Sequence, residues 1–287
     1  MNNFRKGGRQ RIMSSSEYVV HQILPYLYHI EEKTNIHVFM SLVIGKEKAL
    51  LFDCGYGSGD LKKQVEELTD LPYELVLSHF HPDHSFGAWQ FPYAWIHEKD
   101  LRLCQDNYQP EELGKAWESE PRLQNAVSCG EYLGHKCCPL KPMRGGKVFD
   151  LGEITAEIVE MPGHTPGSVG LLLREKRVCL FGDAANPTVY LFFDYSSPLK
   201  DYISMLERTK LLPFDSFLIS HRETVFPKAK LDDFIRCASE AVPQKSAVDP
   251  ATERFCMKTP VYRYEIGPAG QKNHPDFASV LYTKDKL

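Results

Sequence analysis

Short apolar runs separated by turn-forming residues recur along the chain and predict most of its regular structure. Strands are predicted where β-branched and large apolar residues fill a short run between turn formers. The predicted strands are residues 36–45, 48–53, 73–78, 154–160, 169–174, 177–182 and 216–220. Their alternation with helical segments predicts an α/β protein.

Helices are predicted where apolar side chains recur at the spacing of one helical face. Residues 60–69 carry Leu61, Val65 and Leu68 at that spacing. Residues 199–212 form a second predicted helix. Residues 227–241 form a third, which Pro227 is expected to open because proline suits the first helical turn.

The same pattern divides the chain into a main domain and two flanking segments. Residues 1–16 are predicted to be a flexible leader, and residues 17–245 to form the main domain. Within it, residues 98–145 are mixed in character and interrupted by prolines, so we interpret them as a partly helical insertion. Residues 246–287 are predicted to be a C-terminal extension packed on the domain. The tail from Val242 onward is rich in Pro and Gly and is predicted to be mostly irregular.

Composition narrows the class of protein. The 287 residues are enough for one large α/β domain or two small ones, and 43% of them are hydrophobic, as expected for a buried core. The net charge is −4 and no basic block is present, so nucleic acid is not expected as a partner. No membrane span or signal peptide is expected from the apolar pattern. We therefore expect a cytoplasmic protein that acts on a small molecule, and a homodimer is left open.

The eight cysteines are expected to be free thiols. A chain of this length needs no disulfides, and the lack of an export signal indicates a reducing cytosol. Cys137 and Cys138, with Cys129 and His135 nearby, lack the Cys-x-x-Cys spacing of a structural zinc site. Six histidines have no clustered partners in the sequence and are expected to be ordinary strand or surface residues. They are His21, His29, His37, His97, His135 and His274.

Histidine and aspartate residues concentrate at the ends of predicted strands. One segment after strand 73–78 reads His79-Phe80-His81-Pro82-Asp83-His84. His164 stands in a turn bounded by Gly and Pro, and Asp183 and His221 each close an apolar run. Open α/β sheets place their ligands at such strand ends. We expect loops at one edge of a sheet to bring the seven residues together; separately placed surface or capping histidines are the alternative.

The types of these seven side chains predict a two-metal site. Imidazole and carboxylate are suitable ligands for zinc and other first-row divalent ions. Seven ligands are too many for one tetrahedral ion and suit two ions that share a carboxylate. Residues i and i+2 of an extended segment point the same way, so His79 and His81 can bind one ion while Asp83 and His84 reach a second. We expect two divalent metal ions, with zinc favoured and iron or manganese as alternatives.

The string His-x-His-x-Asp-His, followed by separate His, Asp and His positions, resembles the metallo-β-lactamase superfamily. The resemblance covers about residues 20–240, and all seven ligand positions are present in order. It implies a four-layer αββα sandwich with a dinuclear site of the glyoxalase II and lactonase type. It also implies that His79, His81 and His164 bind the first metal, that Asp83, His84 and His221 bind the second, and that Asp183 bridges the two.

Residues near the predicted ligands are expected to orient the ligands or to line a substrate pocket. By the same resemblance, Asp53 orients metal ligands, with loop capping as the alternative. Gly182 is expected to let the backbone approach the metals closely. An aromatic run after Asp183 is a candidate substrate pocket, and Tyr108 and Trp117 of the insertion are candidates for the opposite wall or a lid. The pocket candidates are Tyr190, Phe192, Phe193 and Tyr195, for which core packing is the alternative.

The resemblance predicts a metal-dependent hydrolase. Hydroxide held by the dinuclear centre would attack an ester, thioester, lactone or phosphoester of a small molecule, and the metals would stabilise the charge that develops on oxygen. Asp83 and Asp183 are the candidate catalytic residues. Asp183, or a water that it holds, is the candidate proton carrier for the leaving group.

Departures from the branches of the family leave the substrate open. Antibiotic-hydrolysing members lack the bridging aspartate, so a β-lactamase is disfavoured. Lactonases place a tyrosine where Asn186 stands, with Tyr190 as a candidate substitute, and the tail does not show the glutathione-binding pattern of glyoxalase II. An iron-dependent oxidoreductase similar to the persulfide dioxygenases is the alternative reaction. A non-catalytic binding protein is disfavoured because the ligand set is complete.

Overall fold

The computed structural model describes residues 10–14, 17–268 and 271–287, and its strands form three sheets. The first sheet holds eight strands that are neighbours in the order in which they occur in the chain. They are β1 (Gln10–Ser14), β2 (Tyr18–Leu24), β3 (Leu27–Glu32), β4 (Val38–Ile44), β5 (Ala49–Phe52), β6 (Tyr73–Val76), β7 (Ala94–His97) and β8 (Leu140–Met143). Pairing is antiparallel from β1 to β5 and parallel from β5 to β8.

The second and third sheets are formed by the later part of the chain. Its strands are β9 (Val148–Asp150), β10 (Thr155–Glu160), β11 (Val169–Leu173), β12 (Val178–Leu180), β13 (Thr188–Leu191), β14 (Ser216–Ile219), β15 (Arg222–Pro227), β16 (Ala247–Val248), β17 (Tyr262–Ile266) and β18 (Ala278–Tyr282). The second sheet has the order β15-β14-β12-β11-β10-β9, and the third has the order β13-β18-β17-β16.

Some helices occur between the parallel strands of the first sheet, and the others occur in the later part of the chain. They are α1 (Leu61–Glu66), α2 (Pro82–Ser85), α3 (Glu98–Asn107), α4 (Pro110–Ser119), α5 (Pro121–Ala126), α6 (Cys129–Leu133), α7 (Leu199–Lys210), α8 (Lys230–Glu240) and α9 (Ala251–Arg254). None of the helices in the described parts of the chain combines the length and the apolar character that crossing a membrane requires.

Alternating side chains of the strands divide the core into layers. In β5, Leu50 and Phe52 pack against the second sheet, whereas Ala49 and Leu51 pack with α1 and the helices of the insertion. The opposite face of the second sheet packs against α7 and α8. Successive residues of a strand point to opposite faces, so each sheet is covered by helices on one side and by the other sheet on the other side. The predicted αββα sandwich is confirmed.

One prediction about the later chain is wrong. Pro227 does not open a helix, since it is the last residue of β15 and α8 begins at Lys230. The tail from Val242 onward is largely irregular, as predicted, but it also contains two strands that the sequence did not predict: β17 and β18 form an antiparallel pair, and β18 also pairs in parallel with β13. These strands were missed because their stability comes from pairing with a distant part of the chain, which local pattern does not reveal.

The predicted flexible leader holds a strand where the structure describes it. Gln10–Ser14 form β1, which pairs antiparallel with β2. Residues 1–9 and 15–16 lie outside the described residues. The C-terminal extension contacts the main domain through β18 and through Lys286. The buried ammonium group of Lys286 donates to the carbonyl oxygens of Asp194 and Ser196, at 3.1 and 2.8 Å.

The segment predicted as an insertion contains α3 to α6 and ends in the edge strand β8. Its side chains bond the backbone of two neighbouring segments. The Tyr108 hydroxyl donates to the Ser85 carbonyl, just after the motif, at 2.6 Å, and the Tyr132 hydroxyl donates to the Tyr56 carbonyl, after β5, at 3.0 Å. Tyr108 is buried, and the Trp117 indole donates to the Val127 carbonyl within the insertion. The structure therefore gives Tyr108 and Trp117 packing roles.

We expect Gly87→Ala to destabilise the fold by about 1–3 kcal/mol, the usual cost of overpacking. A Cβ at Gly87 would lie 2.0 Å from the backbone carbonyl oxygen of Cys54, and backbone cannot move aside as a flexible side chain can. Urea unfolding of the variant measures the change. Gly130→Ala is the matched control, because a Cβ there meets no atom within 4 Å. Equal free energies of unfolding for the two variants would contradict the prediction.

Candidate metal centre

The four chain segments that carry the predicted ligands meet at one place. The motif segment follows β6, His164 lies between β10 and β11, Asp183 follows β12 and His221 follows β14. Pro82 is the first residue of α2, so the chain turns there and brings Asp83 and His84 round to the side of His79. The Ser85 hydroxyl closes this turn by donating to the carbonyl of Phe80 at 2.9 Å.

The seven side chains fall into two groups with Asp183 between them. His79, His81 and His164 form one triad whose ligand atoms lie within 4.8 Å of one another. Asp83, His84 and His221 form a second triad with the same limit on their spacing, and Asp183 forms a group with His79 and His84, one member from each triad. This is the arrangement expected of two ions that share one carboxylate.

Distances within the centre are those of groups that face a common point. His164 Nε2 lies 2.9 Å from His81 Nδ1. His221 Nε2 lies 3.1 Å from Asp183 Oδ2 and 3.3 Å from Asp83 Oδ2. His84 Nε2 lies 3.4 Å from Asp83 Oδ2 and 3.8 Å from Asp183 Oδ2.

Each of the five histidines bonds a second group through the ring nitrogen that points away from the centre. Such contacts fix the tautomer and the orientation of a metal-binding imidazole. The contacts are His79 Nδ1 with Ser78 Oγ (3.0 Å), His81 Nε2 with Tyr195 Oη (2.7 Å), His84 Nδ1 with Asp53 Oδ2 (2.8 Å), His164 Nδ1 with the Tyr190 carbonyl (2.8 Å) and His221 Nδ1 with the His37 carbonyl (3.3 Å).

Three atoms of the centre are buried without a hydrogen-bond partner among the described residues: His79 Nε2, His84 Nε2 and Asp183 Oδ1. A buried polar atom left unsatisfied costs about 1–3 kcal/mol, so such atoms require an explanation. All three face the space between the triads, and nitrogen and oxygen donors suit zinc and other first-row ions. The residues therefore fit the pair of divalent ions that the sequence predicts.

The first triad is prepared to offer neutral nitrogen. Burial lowers the pKa of His79, His81 and His164, because desolvation penalises the charged ring. Neighbouring imidazoles lower the pKa of His79 and His81 further. Neutral imidazole is the form that binds a metal.

The second triad holds protons when no cation is bound. Burial by itself lowers the pKa of His84, but the carboxylates of Asp83, Asp53 and Asp183 outweigh it and raise the pKa to about 10. The pKa of His221 is also raised, since Asp183 and Asp83 outweigh the effect of burial. Burial raises and the neighbouring imidazoles lower the pKa of Asp83 and Asp183, and the lowering prevails.

Asp53 has the contacts of a residue that orients ligands. Its carboxylate accepts from the Ser78 N–H at 2.6 Å, the Ser78 hydroxyl at 2.8 Å and the Ser220 hydroxyl at 3.2 Å, in addition to its contact with His84. Gly182 has a φ of +55°, and a Cβ there would lie 2.6 Å from the Ser78 side chain. The backbone at Gly182 therefore lies close to Ser78, and its close approach to the metals stays a prediction.

The aromatic run predicted as a pocket divides into two pairs. Phe193 lies against the centre, with its ring 5.4 Å from that of His81, and it stacks on Tyr195 at 5.2 Å. Phe192 is 1% exposed and packs in a core cluster with the half-buried Tyr190 and Phe255, which Phe193 also contacts. The structure thus places Phe193 and Tyr195 beside the histidines and gives Phe192 and the Tyr190 ring packing roles.

Sequence reasoning missed several contributors. Ser78 and Ser220 each precede a predicted ligand directly, which was an available signal, whereas the His37 carbonyl gave none. His21 was expected to lack partners, yet its Nε2 lies 3.3 Å from Glu31 Oε2 and 3.8 Å from Glu223 Oε1. All eight cysteines are free, as predicted, and no cysteine belongs to a group of potential metal ligands in the described ranges.

The chain matches the family model of the metallo-beta-lactamase superfamily over residues 34–221. It belongs to the metallo-beta-lactamase superfamily. The predicted resemblance is confirmed, and with it the general prediction of a hydrolase of this superfamily.

Individual relatives and structures agree with this membership. The chain is 25% identical over 218 residues to the acyl-coenzyme A thioesterase MBLAC2 of Homo sapiens, covering 68% of this chain and 77% of that protein. It is 27% identical over 182 residues to the hydroxyacylglutathione hydrolase GloC of Haemophilus influenzae, covering 62% and 81%.

Among solved structures, a metallo-beta-lactamase family protein of Thermus thermophilus has a TM-score of 0.57 and 22% identity, covering 75% of this chain and 80% of that one. A beta-lactamase domain protein of Burkholderia ambifaria has a TM-score of 0.60 and 18% identity, covering 82% and 79%. At these identities the structures show the shared fold.

We expect zinc binding near neutral pH to release at least two protons per chain, because His84 and His221 must lose their protons to bind a metal. Calorimetric titration of the metal-free protein with zinc in buffers of different ionisation enthalpy measures the number. The sign is fixed by the raised pKa: the stability that His84 contributes to the metal-free fold is complete below about pH 6.5 and is lost as the pH rises through about 10. A binding enthalpy that does not depend on the buffer would contradict the prediction.

We expect Tyr195→Phe to weaken zinc binding by roughly 10-fold or more, because the loss of an outer partner of a metal-binding histidine typically costs 10–100-fold in affinity. The hydroxyl removed is the one that bonds His81 Nε2. Competition with a zinc-binding indicator measures the affinity. Tyr264→Phe is the control, since that hydroxyl bonds Glu240 away from the centre. Equal zinc affinities for the two variants would sink the prediction.

Proposed function

We propose that this chain is a zinc-dependent thioester hydrolase. The observation that carries the proposal is the position of Asp183 between a triad of three histidines and a triad of Asp, His and His, with buried donor atoms left unsatisfied in both halves. That donor set suits two divalent ions that share a carboxylate. The residues His79, His81 and His164 would hold the first ion, and Asp83, His84 and His221 the second.

Two ions held by these residues would supply hydroxide near neutral pH by lowering the pKa of water, and would polarise the acyl carbonyl. The chain's own residues keep this chemistry in place. The five outer contacts of the histidines hold each ring in one orientation, and the Phe193 and Tyr195 rings cover the side of His81 and exclude water there. Asp183, or a water that it holds, is the candidate proton carrier for the leaving group.

Two considerations favour a thioester over the other acyl compounds. The relatives named above include an acyl-coenzyme A thioesterase and a hydroxyacylglutathione hydrolase. Each name refers to an acyl group carried on a thiol compound, coenzyme A in one case and glutathione in the other. A thiol has a pKa near about 8.5, so a thiolate leaves with little help from an acid at neutral pH. The Tyr195 hydroxyl beside the centre is already engaged by His81, which leaves Asp83 and Asp183 as the candidate catalytic residues.

The proposal includes the small-molecule substrate and the cytoplasmic location that the sequence predicts. A small-molecule substrate fits a centre that is bordered by single aromatic side chains. The eight free thiols are compatible with a reducing compartment, which supports a cytoplasmic location.

The proposal predicts thiol release from acyl-coenzyme A or acylglutathione by the zinc-loaded protein. We expect Asp83→Ala and His84→Ala to lower kcat by roughly 100-fold or more, since even an outer partner of a ligand is worth 10–100-fold. A thiol reagent follows thiol release from the two thioesters. Hydrolysis of an ester, a lactone and a phosphodiester is measured in parallel, and every assay is run with zinc, manganese or iron loaded.

Tyr264→Phe is the matched control for that assay and should keep full activity. Hydrolysis of the lactone or phosphodiester in preference to both thioesters would overturn the thioester assignment. One iron per chain in protein purified without added metal, together with oxygen consumption, would replace the hydrolase with the iron-dependent oxidoreductase.

A further inference from the structure

Asp100 is a buried carboxylate that takes no part in the seven-residue centre. It lies in the first turn of α3 and its side chain is fully buried. Its Oδ2 accepts from the Thr165 hydroxyl at 2.6 Å, and its Oδ1 accepts from the Gly167 N–H at 2.7 Å.

Both donors adjoin a ligand of the first triad. Thr165 and Gly167 follow His164 in the same turn. One carboxylate therefore bonds the turn that carries His164 at two points. Hydrogen bonds from neutral donors to an ionised carboxylate are stronger than those between neutral groups.

The surroundings of Asp100 are built for these contacts. A Cβ at Gly167 would lie 2.6 Å from Asp100 Oδ1, so only glycine permits the approach. Ser168 Oγ lies 2.8 Å from Thr165 Oγ1 and accepts from the Thr165 N–H at 3.1 Å, which fixes the Thr165 side chain.

The same helix also holds the Phe80 peptide. Asn107, at the end of α3, donates its side-chain amide to the Phe80 carbonyl at 3.2 Å. Helix α3 thus bonds both chain segments that carry the first triad, through Asp100 at the turn after His164 and through Asn107 between His79 and His81. On the side of the second triad, Tyr108 at the end of α3 donates to the Ser85 carbonyl, whereas the His84 ring is oriented by Asp53.

We propose that Asp100 is a positioning residue for the first triad, through which helix α3 of the insertion sets the affinity of the first metal site. The proposal rests on the two-ion centre proposed above. It assigns to the insertion a role in metal binding that does not require it to touch substrate.

The test compares metal binding at the two sites in Asp100→Asn. The amide keeps the size of the side chain but offers one oxygen to two donors, so the turn after His164 loses one of its hydrogen bonds to α3. Cadmium-113 NMR of the cadmium-loaded protein reports each site separately, because the site with three histidines and the site with two histidines and Asp83 resonate at different shifts. Competition with a zinc-binding indicator gives the two affinities.

We expect Asp100→Asn to weaken the first site by roughly 10–100-fold, the range seen for outer partners of metal ligands, and to shift only the resonance of that site. Equal weakening at both sites, or two unchanged affinities, would overturn the role of Asp100. A wild-type protein that binds fewer than two ions would instead contradict the two-ion centre.

A second pair of variants covers the case in which Asp100→Asn does not fold. Thr165→Val removes the hydroxyl that bonds Asp100 and keeps the shape of the buried side chain, whereas Thr165→Ser keeps the hydroxyl. We expect Thr165→Val to weaken the first site selectively and Thr165→Ser to restore its affinity. Matching affinities for the Val and Ser variants would contradict the proposal.

Discussion

The buried carboxylate of Asp53 is the contact on which the arrangement of the centre depends. It follows β5 in the first sheet and accepts from Ser78 after β6, from His84 in α2 and from Ser220 after β14 in the second sheet. Its backbone has a φ of +71°, a region that costs a non-glycine residue about 1 kcal/mol or more. The hydrogen bonds to three separate segments offset that cost and fix the two sheets against each other at the metal centre.

Several segments remote in sequence complete the frame around this carboxylate. The turn before β4 supplies the His37 carbonyl to His221. The insertion bonds the motif backbone through Tyr108 and Asn107, and the turn after His164 through Asp100. The C-terminal extension holds the Asp194–Ser196 backbone through Lys286, and that segment carries the tyrosine that bonds His81. The turn before β4, the insertion and the C-terminal extension therefore each support a metal ligand or a residue next to one.

Much of the centre could be predicted from residue types and order. The motif 79–84, with His164, Asp183 and His221 at strand ends, predicted one site, because a sheet gathers the loops at one edge. The strands next to those residues were found for the same reason, since buried strands such as β5 and β14 are continuous apolar runs. The tail strands β17 and β18 were missed, because they are stabilised by pairing with each other and with β13.

The sequence by itself determined the family, the seven donors and the hydrolytic class, since these follow from which side chains are present and in what order. Only the tertiary structure decided what surrounds the donors. Phe192 and Phe193 are adjacent and chemically identical and pack in the same cluster, yet Phe192 is buried there whereas the half-buried Phe193 also lies against His81, because different segments pack around each ring. Four of the five outer hydrogen bonds of the histidines join residues from separate segments. Such contacts exist only once the sheets have packed.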